Sequence, residues 1–153
     1  MREFKNILVP IDFSEASLVL IPYAKYLIDK LGAKVHLLYV ARSLSYMAGF
    51  YVPHPSIKRF EEEMLEGVKK SMEKLLDEHF QGISVETHIL TGDAASEIIK
   101  FSQENDIDLI LMGTHGRKGL DKTIFGSVAE CVVRGASCPV LTINPYRTKK
   151  IKS

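Results

Sequence analysis

Three glycines and a serine carry the most suggestive chemistry in this chain: Gly113, Gly116 and Gly126, with Ser127 directly after the last. They follow the apolar run Leu109-Ile110-Leu111-Met112, so the spacing reads as a strand that opens into a loop and returns to a helix start. Glycine leaves main-chain N–H groups unobstructed, and clustered exposed amides bind anions, phosphate above all. At a helix start, Gly126-Ser127 adds unpaired amides, the positive end of the helix dipole and a hydroxyl donor. A structural reading stands beside this one: Ser127-Val128-Ala129-Glu130 fits the capping-box pattern, which also caps helices that bind nothing. The spacing is neither a Walker A loop nor Gly-x-Gly-x-x-Gly, so two commoner nucleotide motifs are excluded.

Asp12 and His115 extend the constellation. Asp12 ends the run Ile7-Leu8-Val9-Pro10-Ile11 and offers a carboxylate that accepts hydrogen bonds from ribose hydroxyls. Facing polyphosphate directly, it would need a divalent cation such as Mg2+ between them. His115, with an unperturbed pKa of about 6.5, can move a proton near neutrality or simply donate a hydrogen bond to phosphate. No matched base, arginine finger or metal-binding carboxylate pair accompanies it, so efficient hydrolysis is not expected. Arg117, Lys118 and Lys122 read either as phosphate neutralisers or as solvated loop charges. His36, His54, His79 and His88 show no metal-ligand spacing and take structural or surface roles. Cys131 falls at a helical core position, and Cys138, before Pro139, reads as the more accessible thiol.

These residues need a scaffold, and the apolar periodicity supplies one. Residues 5 to 11, 35 to 40, 84 to 90, 109 to 112 and 140 to 143 read as strands, short and rich in β-branched residues. Between them lie helical stripes. Ser14 caps the first, whose positions Leu20, Ala24, Leu27 and Leu31 end at Gly32, with a kink expected at Pro22. From Ile57, the residues Phe60, Met64, Val68, Met72 and Leu75 mark a long amphipathic helix ending near Phe80 and Gly82, its methionines in the core. Asp93 caps a helix carrying Ala95, Ile98 and Ile99, and Val128, Cys131 and Val132 belong to a last helix stopped at Gly135. Residues 41 to 56 read as a long loop, either a lid or a segment packed against the domain or a second subunit. Alternating strands and helices imply one α/β domain, a parallel sheet covered on both faces by right-handed crossovers. In such sheets ligands bind beyond the carboxyl ends of strands where the order reverses, which brings Asp12 and Gly113 together if the first and fourth strands are neighbours.

Length and composition agree. A chain of 153 residues is enough for one core, burying about two-thirds of its unfolded surface. Its formal charge of +1 gives no field that would attract nucleic acid or an anionic membrane. Two cysteines make no disulfide framework, the N-terminus lacks the apolar stretch of a secretory signal, and no run approaches the ~18 apolar residues of a membrane span. A soluble cytoplasmic protein is expected, with a domain over residues 1–146 and a basic tail over 147–153.

The segment Gly113-Thr114-His115-Gly116, nine residues, then Gly126-Ser127, resembles the ATP-binding signature of the universal stress proteins. Ile7-Leu8-Val9-Pro10-Ile11-Asp12 and Cys138-Pro139-Val140-Leu141 are similar to the same family, so the resemblance spans essentially the whole chain. It implies an open five-stranded parallel sheet in the order 3-2-1-4-5, adenine nucleotide alpha hydrolase-like. It also implies a homodimer pairing the fifth strands, Val140 to Ile143, which would remove an apolar edge. Carried over residue by residue, Pro10, Ile11 and Asp12 line the adenosine site with Val40, Met112 and Gly113. Gly116, Gly126, Ser127 and Val128 cradle the phosphates, with His115 adjacent and the one catalytic candidate. The function implied is an ATP-binding, nucleotide-regulated stress-response module read by an unidentified protein partner, with ADP or AMP as other ligands. A slow Mg2+-dependent ATPase or phosphotransferase is the alternative, and a structural dimer without nucleotide is a weaker one.

Overall fold

A computed structural model describes residues 3–43, 55–115 and 126–147. Five parallel strands form one sheet in the order β3-β2-β1-β4-β5: β1 Asn6–Pro10, β2 Lys34–Ala41, β3 Val85–Thr91, β4 Leu109–Gly113 and β5 Val140–Ile143. The helices are α1 Glu15–Leu18, α2 Leu20–Leu31, α3 Pro55–His79, α4 Ala94–Glu104 and α5 Ser127–Gly135. Alternation along the strands sorts the core into two layers. Ile7, Val9, Val35, Leu37, Leu109 and Leu111 face α2 and α3, packing with Leu20, Ala24, Met72 and Leu75. Leu8, Leu38, Ile110 and Met112 face α4 and α5, packing with Ile98, Phe101, Ala129 and Val132. Both faces are covered, so Ile7 to Val9 of β1 and Leu109 to Met112 of β4 are apolar on both faces, as a buried parallel sheet requires.

Most local signals operate as expected. The Ser14 side chain accepts from the Ser17 N–H at 3.2 Å, Asp93 does the same for Ser96 at 3.0 Å, and Gly32 ends α2 at φ 63°. The kink expected at Pro22 appears three residues earlier, as a break at Val19 between α1 and α2. Proline lacks the N–H that would bond to Leu18, and it is tolerated only in the first turn of the helix that restarts after the break. Asp108 accepts from the N–H groups of Lys5 and Asn6, both at 2.9 Å, fastening the start of β1 to the start of β4.

Several side chains sit elsewhere than their spacing implies. Leu31 is exposed at the last position of α2, and Ile21 is buried in its helix instead. The long helix begins at Pro55, and Phe60 in its early turns faces solvent. Cys131 is exposed rather than packed, because the buried positions of α5 are Ala129 and Val132, and a neighbour one residue from Val132 is turned about 100° away. Gly135 does end α5, although without a left-handed turn: a Cβ there would lie 2.7 Å from Ile99 Cδ1, so the glycine admits close packing on α4. The proposed lid largely coincides with residues 44–54, which lie outside the described residues, as do His54, Arg117, Lys118, Lys122 and residues 148–153 of the tail. Among the described residues, no helix is long and apolar enough to cross a membrane.

Candidate functional site

The sheet itself opens the site. The β1–β4 ladder consists of Ile7–Leu109 and Leu8–Ile110, whereas β1–β2 continues to Pro10–Leu38 and β4–β5 to Gly113–Ile143. Ile11 donates toward β2, to the Leu38 carbonyl at 2.9 Å. By alternation, the position of Pro10 that lacks an N–H is the one facing β4. The two central strands therefore part while their outer neighbours still hold them. The resulting cleft of about 540 Å³ suits a small molecule.

Residues foreseen from the sequence meet there. Pro10, Ile11 and Asp12 enter from β1, Val40 from β2, and Met112, Gly113 and His115 from β4; Gly126, Ser127 and Val128 enter from the start of α5. Gly116 lies outside the described residues. The Asp12 carboxylate also shapes its own turn, accepting from the Ser14 amide at 3.0 Å and the Ser14 hydroxyl. The next residue, Phe13, takes a φ of 60°, unusual for a bulky side chain, and its ring stacks on Tyr39 at 5.0 Å. Strain of this kind, of order 1 kcal/mol or more, persists where surrounding contacts over-determine the backbone.

Glycines let backbone approach backbone on the far wall. The Gly126 N–H donates to the Thr114 carbonyl at 2.6 Å, and a Cβ on Gly126 would lie 3.0 Å from that same oxygen. A Cβ on Gly113 would meet the His115 carbonyl oxygen at the same distance. Gly126 is itself the N-cap of α5, extended at φ −70° and ψ 160°, and its carbonyl accepts from Glu130 at 3.0 Å. Ser127 is the first helical residue and caps nothing, which removes the capping-box reading. Ser127, Val128 and Ala129, whose amides precede the first intrahelical bond at the positive end of the helix dipole, line the cleft. His115 is buried, with Nδ1 2.9 Å from the Thr114 hydroxyl and its ring edge-on to Tyr146 at 5.9 Å.

Other lining residues were missed. Arg42 follows β2 just as Asp12 follows β1, so the rule about carboxyl ends of strands already pointed to it. Thr114, between two named residues, was also within reach. Met64, assigned to the core by its spacing, lines the cleft from α3, and Ala94 and Ile98 line it from the first turns of α4. No signal within single segments identified these three, since only the packing of α3 and α4 brings them there. Away from the cleft, His36 and Phe101 pack in one cluster with His88, and burial holds both imidazoles below their ordinary value.

Similar proteins agree with this architecture. A universal stress protein of Methanocaldococcus jannaschii, MJ0531, is 32% identical over 145 residues, covering 92% of this chain and 82% of its own. YxiE of Bacillus subtilis is 31% identical over 150 residues, covering 92% of this chain and 99% of its own. The solved structure of MJ0577, also from M. jannaschii, superposes with a TM-score of 0.82 at 27% identity, over 97% of this chain and 100% of that one. The model of the universal stress protein family matches residues 3–144, and the chain belongs to that family.

Proposed function

We propose that the cleft holds an adenine nucleotide, ATP first with ADP or AMP as other occupants, and that occupancy rather than turnover is the output. The protein then acts as a cytoplasmic, nucleotide-regulated stress-response module whose surface a partner protein reads. One observation carries this reading: the Thr114–Gly126 closure, which a Cβ at position 126 would crowd, sets the start of α5 against a nucleotide-sized cleft. Pro10, Ile11, Val40, Met112 and Gly113 would wall the adenosine, and Asp12 would accept from its ribose. Gly126, Ser127, Val128 and Gly116 would cradle the phosphates beside His115, with Mg2+ supplying countercharge. A universal stress protein solved in complex with cAMP has this fold at 15% identity and a TM-score of 0.66, which supports a nucleotide as the ligand class. Pairing of β5 with a second copy is supported by its place at the sheet edge and the exposure of Leu141.

Slow Mg2+-dependent hydrolysis or phosphotransfer is the second reading. Its supporting observation is that Thr114 and Tyr146 fix the His115 ring against the cleft. Calorimetric titration of nucleotide-free protein with ATP, ADP and AMP is the test. Saturable binding is expected, and its absence for all three would leave a structural dimer without nucleotide. Measuring ADP release with Mg2+ then separates the two readings: retained ATP supports the module, whereas turnover lost in His115→Ala supports the enzyme.

A further inference from the structure

We propose that His36, Glu86 and His88 form a binding site for a divalent transition-metal ion, zinc first, bridging β2 and edge strand β3. The register makes the cluster. His36 pairs with Glu86 and Leu38 with His88 across the parallel ladder, so all three side chains project from one face of two adjacent strands. Three potential ligand atoms converge there: His36 Nδ1 lies 3.1 Å from His88 Nε2 and 3.2 Å from a Glu86 carboxylate oxygen, which is 3.8 Å from His88 Nε2. Tetrahedral zinc, with bonds of about 2.0–2.2 Å, sets its ligand atoms about 3.3 Å apart, so one ion can reach all three with small adjustments. Among the described residues these are the group with metal-holding proximity.

The chemistry of the donors selects the ion. Two imidazoles and one carboxylate suit Zn2+ and neighbouring ions such as Co2+, whereas Mg2+ and Ca2+ prefer oxygen shells. His36 is buried and its Nε2 has no partner among the described residues, so the polar interactions of this ring lie on Nδ1. Phe101 packs its ring 4.6 Å from that of His88 and 6.3 Å from that of His36, fixing the inner side of the site. Glu86 and His88 are partly exposed, so solvent can supply a fourth ligand, while the other Glu86 oxygen pairs with Lys34. His36 lies four residues before Val40 on β2, about 13 Å along the strand, so this site is separate from the cleft.

The test uses the untagged full chain, freed of metal and nucleotide, titrated with Zn2+ by calorimetry and with Co2+ by visible absorption. The expected result is one equivalent of Zn2+, a Co2+ spectrum of a four-coordinate centre, and a Zn2+-dependent rise in melting temperature. His88→Ala should weaken Zn2+ binding by more than about 100-fold, beyond the loss typical of an outer-shell partner. Glu86→Gln, which preserves size at a partly exposed site, should lose at least about 10-fold and the thermal shift, and it carries the comparison if His88→Ala fails to fold. No uptake of Zn2+ or Co2+ by the parent chain would overturn the site. Equal binding by parent and folded variants would also overturn it, placing the ion elsewhere.

Discussion

The cleft between β1 and β4 and the histidine cluster on β2 and β3 are built from opposite materials. In the cleft, the groups available to a ligand are main-chain amides at a helix start, beside glycines whose missing Cβ atoms let backbone approach backbone. In the cluster, they are side-chain lone pairs brought together by strand register. The first suits an anion and depends on residues that are small. The second suits a cation and depends on residues that are large and polar. One sheet thus provides both environments, the cleft where two strands separate and the cluster where two remain paired.

The largest effects should separate the two regions completely. Gly126→Val pushes side-chain atoms toward the Thr114 carbonyl oxygen, and ATP affinity should fall roughly 100-fold, about 2.7 kcal/mol, in a calorimetric titration. Zn2+ binding should be unchanged in that variant. Conversely, His88→Ala should leave ATP affinity within about twofold, and a parallel loss of both ligands would show that the regions are one unit.

Asp108→Ala tests the closed end of the parted strands. It removes the acceptor for the Lys5 and Asn6 amides, and urea unfolding should register a loss of about 2 kcal/mol. Asp93→Ala acts on α4, the helix both regions share: Ile98 lines the cleft and Phe101 packs on the histidines. Loss of the cap should cost about 1 kcal/mol at pH 7. Hydrogen bonds from the backbone and hydroxyl of Ser96 hold the Asp93 carboxyl below its ordinary value. Its contribution is therefore present above the unfolded value near pH 4 and lost as pH falls through the folded one, so parent and variant stabilities should converge in acid. Ser127→Ala is the smallest change, within about 0.5 kcal/mol of parent stability, because Gly126 and not Ser127 caps α5. A loss near that of Asp93→Ala would restore Ser127 as the cap.

The cleft was more legible in the sequence than the cluster, for a physical reason. Asp12, Gly113 and Ser127 each sit at the end of a strand or the start of a helix, and topology rules say where such ends meet. His36 and His88 sit mid-strand, 52 residues apart, and meet only in one register of β2 on β3. Periodicity finds strands without fixing their pairing, so no spacing rule could have joined them. Cys131 was misplaced by one step of helical phase, since Val128 and Val132 define the apolar stripe about equally well with or without it. The break at Val19 shows a signal identified correctly and placed late: proline acts on the carbonyl four residues before it.

The Asp108 bonds to Lys5 and Asn6 carry a consequence for synthesis. They span 103 and 102 residues, and β1, made before the other four strands of the sheet, is its central strand. Until β4 has left the ribosome, β1 can pair with β2 alone and presents an open edge on its other side. Such non-local closure slows folding and leaves that edge exposed to aggregation throughout translation of the intervening chain. A nascent chain ending before Leu109 should therefore depend on chaperone protection that the full chain, with β4 in place, no longer needs.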